Sequence, residues 1–137
     1  MTDQLRNIGP RRTVYLLSAV THLARARLDF ARRPASTIVT ALRDRQPEAG
    51  PRTTLDLALV RWAMGAAACR VPWRADCLLQ SMAADRWLRG HGITPAFRLG
   101  VTQKPEGGIL AHAWIEAEGT VITGGLPVED LHILIDS

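Results

Sequence analysis

Cys77 and His112 are the residues of this sequence whose types and settings indicate chemistry. Cys77 opens the segment CLLQSMAADRWLRGHG, which has the apolar periodicity of a buried helix, and Asp76 precedes it as an N-cap. The start of a helix carries partial positive charge, so it favours the thiolate, which is the reactive form of cysteine. A nucleophile can therefore form at Cys77 without a metal ion.

His112 is the histidine best placed to act as a base for that nucleophile. It lies within ILAHAWIE, whose alternation predicts a β-strand with His112, Trp114 and Glu116 on one face. An imidazole can take the thiol proton and return it to a leaving amine. The backbone N–H of Cys77, with a side chain such as Trp73 or Arg74, would hold the oxyanion. A purely structural role for this histidine is the alternative, and nothing near the others, His22, His91 and His132, indicates more than packing.

The elements that position these residues are helices first and strands afterwards. Apolar periodicity predicts helices before the Cys77 helix over Thr13–Arg33, from about Ser36, and from a cap at Thr53 or Thr54 to about Cys69, the last packing on the Cys77 helix. Alternation and turn residues predict strands over 96–101, 109–116, 120–123 and 131–135, with a tight turn at Glu118-Gly119. This order indicates an α+β fold, in which N-terminal helices precede a central Cys-bearing helix packed on a small antiparallel sheet.

Composition is typical of one globular domain, with 137 residues, 47% of them hydrophobic and 22% charged. The formal net charge of +4 is uneven, since residues 1–52 hold ten arginines against four acids. We therefore divide the chain into a basic helical N-terminal extension, residues 1–50, that docks a partner, and a catalytic core, residues 51–137. A solvated helical face is the simpler explanation of the charge.

Several classes of protein are disfavoured by the sequence. Two cysteines do not make a disulfide framework, and there is no signal peptide and no apolar run of about 18 residues, so we expect a reduced, cytoplasmic protein without a membrane span. We expect Cys69 to pack in the core. Cys69, Cys77, His91 and His112 lack zinc-type spacing, and no glycine loop precedes a helix that would bind phosphate. We therefore expect no metal and no cofactor.

Four segments in order carry a resemblance to a known family. They are CLLQSMA from Cys77, LRGHG from Leu88, LGV from Leu99 and AHAWIE from Ala111, with Gly119 closing the hairpin. Together they resemble the transglutaminase-like cysteine peptidases of lasso peptide biosynthesis, the leader peptidases of the B2 type. The resemblance implies a transglutaminase- or papain-like fold and a thiol endopeptidase that removes the leader from a ribosomally made precursor. It also implies two partners, a leader-recognition protein and the ATP-dependent lasso cyclase.

The resemblance assigns roles to individual residues, with one departure. Cys77 matches the family nucleophile and His112 the family base. Family members with a triad carry an acid about a dozen residues after the histidine, where this chain has Ile122-Thr123-Gly124-Gly125. Hairpin pairing places Gly124 or Gly125 opposite His112, so the carboxylate is missing there. Glu116 is a poor substitute, because it lies about 13 Å along the strand from His112. Either Asp130 or Glu129 supplies the carboxylate, or the site is a Cys–His dyad.

Two other functions stay open on the sequence alone. The same Cys–His pair can carry out transglutaminase-like amide transfer or deamidation. Alternatively, the chain is a non-catalytic protein whose basic N-terminal helices bind an acidic partner or nucleic acid. For the peptidase itself we expect the precursor peptide as substrate and no contact with nucleic acid.

Overall fold

Helices precede a small antiparallel sheet, as the sequence predicts. The computed structural model describes residues 9–44, 53–73, 75–124 and 132–136. Its helices are α1 (Pro10–Arg32), α2 (Ala35–Asp44), α3 (Leu57–Ala68) and α4 (Cys77–Gly90). Its strands are β1 (Ala96–Gln103), β2 (Ile109–Ala117), β3 (Thr120–Thr123) and β4 (His132–Asp136). The predicted α+β fold, with a Cys-bearing helix packed on the sheet, is confirmed.

Local signals explain where most helices begin and end. α1 starts at Pro10, whose fixed φ suits the first helical position, and ends before Pro34. The Asp76 carboxylate accepts a hydrogen bond from the N–H of Leu79, 3.0 Å away, and so caps α4 as predicted.

The predicted cap of α3 is wrong. Asp56, and neither Thr53 nor Thr54, caps this helix by accepting from two backbone N–H groups of its first turn. The hydroxyl of Thr53 lies instead 2.7 Å from Nδ1 of His91, and its N–H donates to the carbonyl of the same residue. Thr53 therefore ties the start of α3 to the end of α4.

α1 contributes to the same core as the later helices. Its fully buried residues Ala19, Leu23 and Ala26 belong to one apolar cluster with residues of α3, α4 and the sheet. α1 packs against both α3 and α4, whereas α3 and α4 touch each other only marginally. The predicted packing of α3 on α4 is therefore replaced by packing of both on α1.

The sheet brings β2 against the Cys-bearing helix. Its strand order is β3-β2-β1-β4, and α4 packs on β2 and β3. The β2–β3 turn has positive φ at both Glu118 and Gly119, which is the type I′ geometry of a two-residue hairpin. Ala113 and Ile115 of β2 lie in the core shared with the helices, so His112 and Trp114, which alternate with them, lie on the other face.

No helix within the described ranges is long and apolar enough to cross a membrane. Among those same residues, no group of three or more His, Cys, Asp or Glu side chains is arranged to hold a metal ion.

Candidate active site

Cys77 occupies the first turn of α4, as the sequence predicts. Its side chain is half-buried against the apolar core. The first N–H groups of a helix have no partner within the helix, and the Asp76 cap takes that of Leu79. The backbone N–H of Cys77 lies at the same positive helix end, where developing negative charge on a substrate oxygen is stabilised.

His112 is buried on β2, and its ring is held by its neighbours. It is 8% exposed and stacks on Trp114 with ring centroids 6.0 Å apart. Trp114 is itself fully buried, and its Nε1 donates to Oε1 of Glu116 over 3.0 Å. Glu116 also accepts from Nε of Arg98, 2.9 Å away. The Glu116 carboxylate thus fixes Trp114, and the indole supports the imidazole, while Glu116 itself is engaged away from His112.

Gly124 makes the closest approach to the His112 ring. A Cβ added to this glycine would lie 2.7 Å from Nε2 of His112 and 2.8 Å from Cβ of Trp114. Nε2 is buried, and no described group meets hydrogen-bond geometry with it. The main chain of Gly124 therefore lies directly against this ring nitrogen.

Two effects act on the protonation of His112. Burial is the larger, and it lowers the pKa of the imidazole below its ordinary value of 6.5 because a charged ring loses hydration. The backbone of Gly124 acts in the other direction and raises the pKa, because it lies close to the ring even though it misses strict hydrogen-bond geometry. The net effect favours the neutral ring near pH 7, which is the form that accepts a proton.

A cavity lies beside Gln80 of α4 and Gly124, the residue that approaches the His112 ring. It measures about 180 Å³ and lies between α3, α4 and β3. Gln80, one turn beyond Cys77, lines it on one side and Gly124 on another, with Arg61 and Gly65 of α3 between. This cavity was not predicted from the sequence, although Arg61 and Gly65 at i and i+4 share a face of α3 and Gln80 follows Cys77 at i+3.

The described pairing of β3 with β2 stops short of His112. β3 pairs only with residues 115–117 of β2, and the register shifts between Ile115 and Glu116. The pairing ends at Ile115↔Thr123, so Gly124 comes after it and is not paired with His112. The ring of His112 nevertheless reaches Gly124 beside this strand end. Cys77 and His112 thus lie on two elements that pack together, the Cys77 helix and β2.

Other predicted site residues have different outcomes. Asp130, Glu129 and Arg74 lie outside the described residues. Trp73 lines a second cavity, of about 430 Å³, together with Asp76 at the start of α4, and its Nε1 is buried with no partner among the described groups.

The predicted burial of Cys69 is wrong. It is exposed at the C-terminal end of α3. The helix turns its small residues Ala63 and Ala67 into the core, and Cys69 follows on the other side. Cys69 therefore serves as an accessible thiol for comparison with Cys77.

His22 is more than a surface residue. Its ring stacks on Trp87 with centroids 5.5 Å apart. Burial lowers its pKa, with smaller contributions in the same direction from nearby Arg25, Arg86 and His91. This histidine lies between α1 and α4 and takes part in their packing.

Comparison with known proteins identifies the family. A family model for the transglutaminase-like superfamily matches residues 20–135, from within α1 to within β4. Comparisons with curated proteins and with solved structures gave no significant match. Since the family model covers most of the sequence, including both Cys77 and His112, the chain belongs to the transglutaminase-like superfamily.

Proposed function

We propose that this protein is a cysteine peptidase that removes the leader from a lasso peptide precursor. Domains of its superfamily are typically cysteine-based enzymes. The observation that carries the proposal is a buried, positioned histidine on the strand that packs against the helix with Cys77 on its first turn. The sequence similarity to B2-type leader peptidases supplies the substrate.

In the proposed reaction, His112 takes the thiol proton of Cys77, and the thiolate attacks the carbonyl carbon of the scissile bond. Nε2 is enclosed by Gly124, so the proton passes to Nδ1. The oxyanion lies near the Cys77 N–H, and the imidazolium then protonates the leaving amine as the C–N bond breaks. Water, deprotonated by His112, hydrolyses the thioester and regenerates the thiol.

His112 lies on the face of β2 opposite to the one that packs on the helices. Ala113 and Ile115 fill the side of β2 that packs on the helices. The ring of His112 therefore has to meet the thiol of Cys77 around the edge of β2, beyond the end of β3. Two observations support that meeting. The described β2–β3 pairing ends at Ile115, and the cavity lined by Gln80 and Gly124 adjoins this end.

Amide transfer and deamidation use the same two residues and differ only in the acceptor or the bond attacked. The mass of the product distinguishes these reactions from peptide hydrolysis. We would incubate the protein with a lasso precursor and the leader-recognition protein of the same producer, and measure intact masses. Peptidase activity gives two fragments whose masses sum to precursor plus one water, whereas deamidation shifts the unsplit precursor by about one mass unit. An unsplit precursor of shifted mass would contradict the proposed hydrolysis.

The partner surface is proposed on α1, within the basic segment of residues 1–50. Val14, Leu17 and Leu28 are about 60% exposed on this helix. Apolar residues exposed on a helix and accompanied by arginines suit a partner with an apolar, acidic surface. We propose that this surface docks the leader-recognition protein or the lasso cyclase.

We expect the double variant Leu17→Glu, Leu28→Glu to lose association with that partner, by about 10-fold or more in Kd, because it places two charges in a desolvated contact. Analytical ultracentrifugation or calorimetry with the purified recognition protein, and separately with the cyclase, would measure this. Ile109→Glu, at a similarly exposed apolar residue on β2, is the matched control. Unchanged affinity of the α1 variant for both proteins would place docking elsewhere.

A further inference from the structure

Position 124 has no room for a side chain. Gly124 has a φ of +79°, a conformation that costs other residues about 1 kcal/mol or more. Its added Cβ would lie 2.7 Å from His112 Nε2, 2.8 Å from Trp114 Cβ and 3.1 Å from the carbonyl oxygen of Ala113. All three atoms belong to β2, and Trp114 is fully buried, so they cannot move aside cheaply. An aspartate could not occupy this position without displacing the histidine.

The same contact brings the main chain of Gly124 against Nε2 of His112. Glu116, the acid on the same strand face, is held by Trp114 and Arg98. Nε2 is buried and has no partner at hydrogen-bond geometry among the residues that the structure describes, while the main chain of Gly124 lies against it. The main chain of Gly124 therefore takes space beside Nε2 that a carboxylate at position 124 would need.

We infer that the main chain of Gly124 positions His112 in place of a carboxylate, so that Cys77 and His112 work as a dyad. Gly124 is a positioning residue in this account, which deepens the proposed function and rests on it. The neutral ring carries its proton on Nε2, directed at the Gly124 carbonyl, and leaves Nδ1 free to accept the thiol proton. The rise in the pKa of His112 that the Gly124 backbone causes agrees with an acceptor at this place.

The test reads the tautomer of His112 in the folded protein without any substrate. Long-range ¹H–¹⁵N NMR distinguishes a neutral imidazole protonated on Nε2 from one protonated on Nδ1. We expect the Nε2–H form in the wild-type protein at about pH 8, well above the ordinary histidine pKa. A ring protonated on Nδ1 would overturn the inference. Because the NMR experiment contains no precursor, its result stays interpretable even if the proposed leader cleavage is wrong.

Variants separate positioning from backbone strain. Gly119 has a φ of +78°, and nothing lies within 4 Å of its added Cβ. Gly119→Ala therefore matches Gly124→Ala in strain but not in contact. In the cleavage assay we expect Gly124→Ala and Gly124→Asp to lower kcat about 100-fold with little change in KM, because a small displacement of a catalytic group has that effect. Gly119→Ala should keep the wild-type kcat, and a Gly124→Asp protein as active as wild type would contradict the inference.

Asp130→Asn is a second, independent test, because it removes a candidate orienting carboxylate and leaves Gly124 intact. A dyad positioned by Gly124 predicts that this variant keeps the Nε2–H tautomer and a kcat within about twofold of the wild type. Loss of either property would show that an acid orients His112, and would overturn the inference even if Gly124→Ala failed to fold.

Discussion

Replacing Cys77 by alanine is expected to abolish cleavage of the precursor, lowering kcat on the order of 10⁴-fold or more. No other described group at the start of α4 can form the covalent thioester. His112→Ala should have an effect of similar size, because a thiol without its base is rarely ionised near pH 7. The two changes should not add, so the double variant should be no slower than Cys77→Ala alone. Quantitative mass spectrometry of the released leader would measure all three rates.

Cys69→Ala is the matched control for the nucleophile. Cys69 is exposed at the end of α3, away from the first turn of α4, and its removal should leave kcat and KM unchanged. Wild-type cleavage by the Cys77→Ala protein would rule out the proposed chemistry. If Cys69→Ala lost cleavage and Cys77→Ala retained it, Cys69 and not Cys77 would be the nucleophile, and the proposed site would be wrong.

The largest effect on stability is expected at a buried ion pair within α4. The carboxylate of Asp85 accepts from Nε of Arg89 over 3.0 Å, and the two side chains are only 2% and 7% exposed. Asp85→Ala would leave the buried guanidinium without this partner, at a cost of about 3–5 kcal/mol in the free energy of unfolding. That is a large share of the total stability of a small domain. Urea denaturation followed by circular dichroism would measure the loss.

A second ion pair on the same helix is the control. Arg86 pairs with Asp29 of α1, and its side chain and that of Asp29 are 30% and 18% exposed. Because solvent screens this pair, Asp29→Ala should cost only about 1 kcal/mol. Equal losses for Asp29→Ala and Asp85→Ala would show that burial does not decide the contribution of Asp85.

The sequence predicted the elements whose signals are local. The start of α4 follows from an aspartate cap before an apolar periodic run, and the alternation around His112 correctly placed Trp114 and Glu116 on its face. The β2–β3 hairpin follows from Glu118-Gly119, since a tight turn with two positive φ values favours glycine. These features depend on neighbours a few residues apart.

Features that depend on distant packing were not predictable in the same way. Ser81 and Asp85 are polar residues of the Cys77 helix, yet both are buried, because neighbouring elements cover the parts of the helix on which they lie. The cap of α3 at Asp56 was missed, since two threonines nearby are equally good caps by composition. The contact of Gly124 with His112 depends on where β3 stops pairing, which a hairpin register alone does not set.

Cys77 and His112 are proposed to act as a pair, and the pH dependence of thiol alkylation measures whether the thiol depends on the imidazole. In a Cys69→Ser protein only Cys77 reacts with iodoacetamide, so its rate can be followed from about pH 5 to pH 9, the range in which imidazoles and thiols titrate. If the pair forms, the neutral ring of His112 accepts the thiol proton of Cys77 and so favours the reactive thiolate. The alkylation rate at about pH 7 should then fall roughly 10-fold or more in His112→Ala. Superimposable profiles for the two proteins would contradict the account.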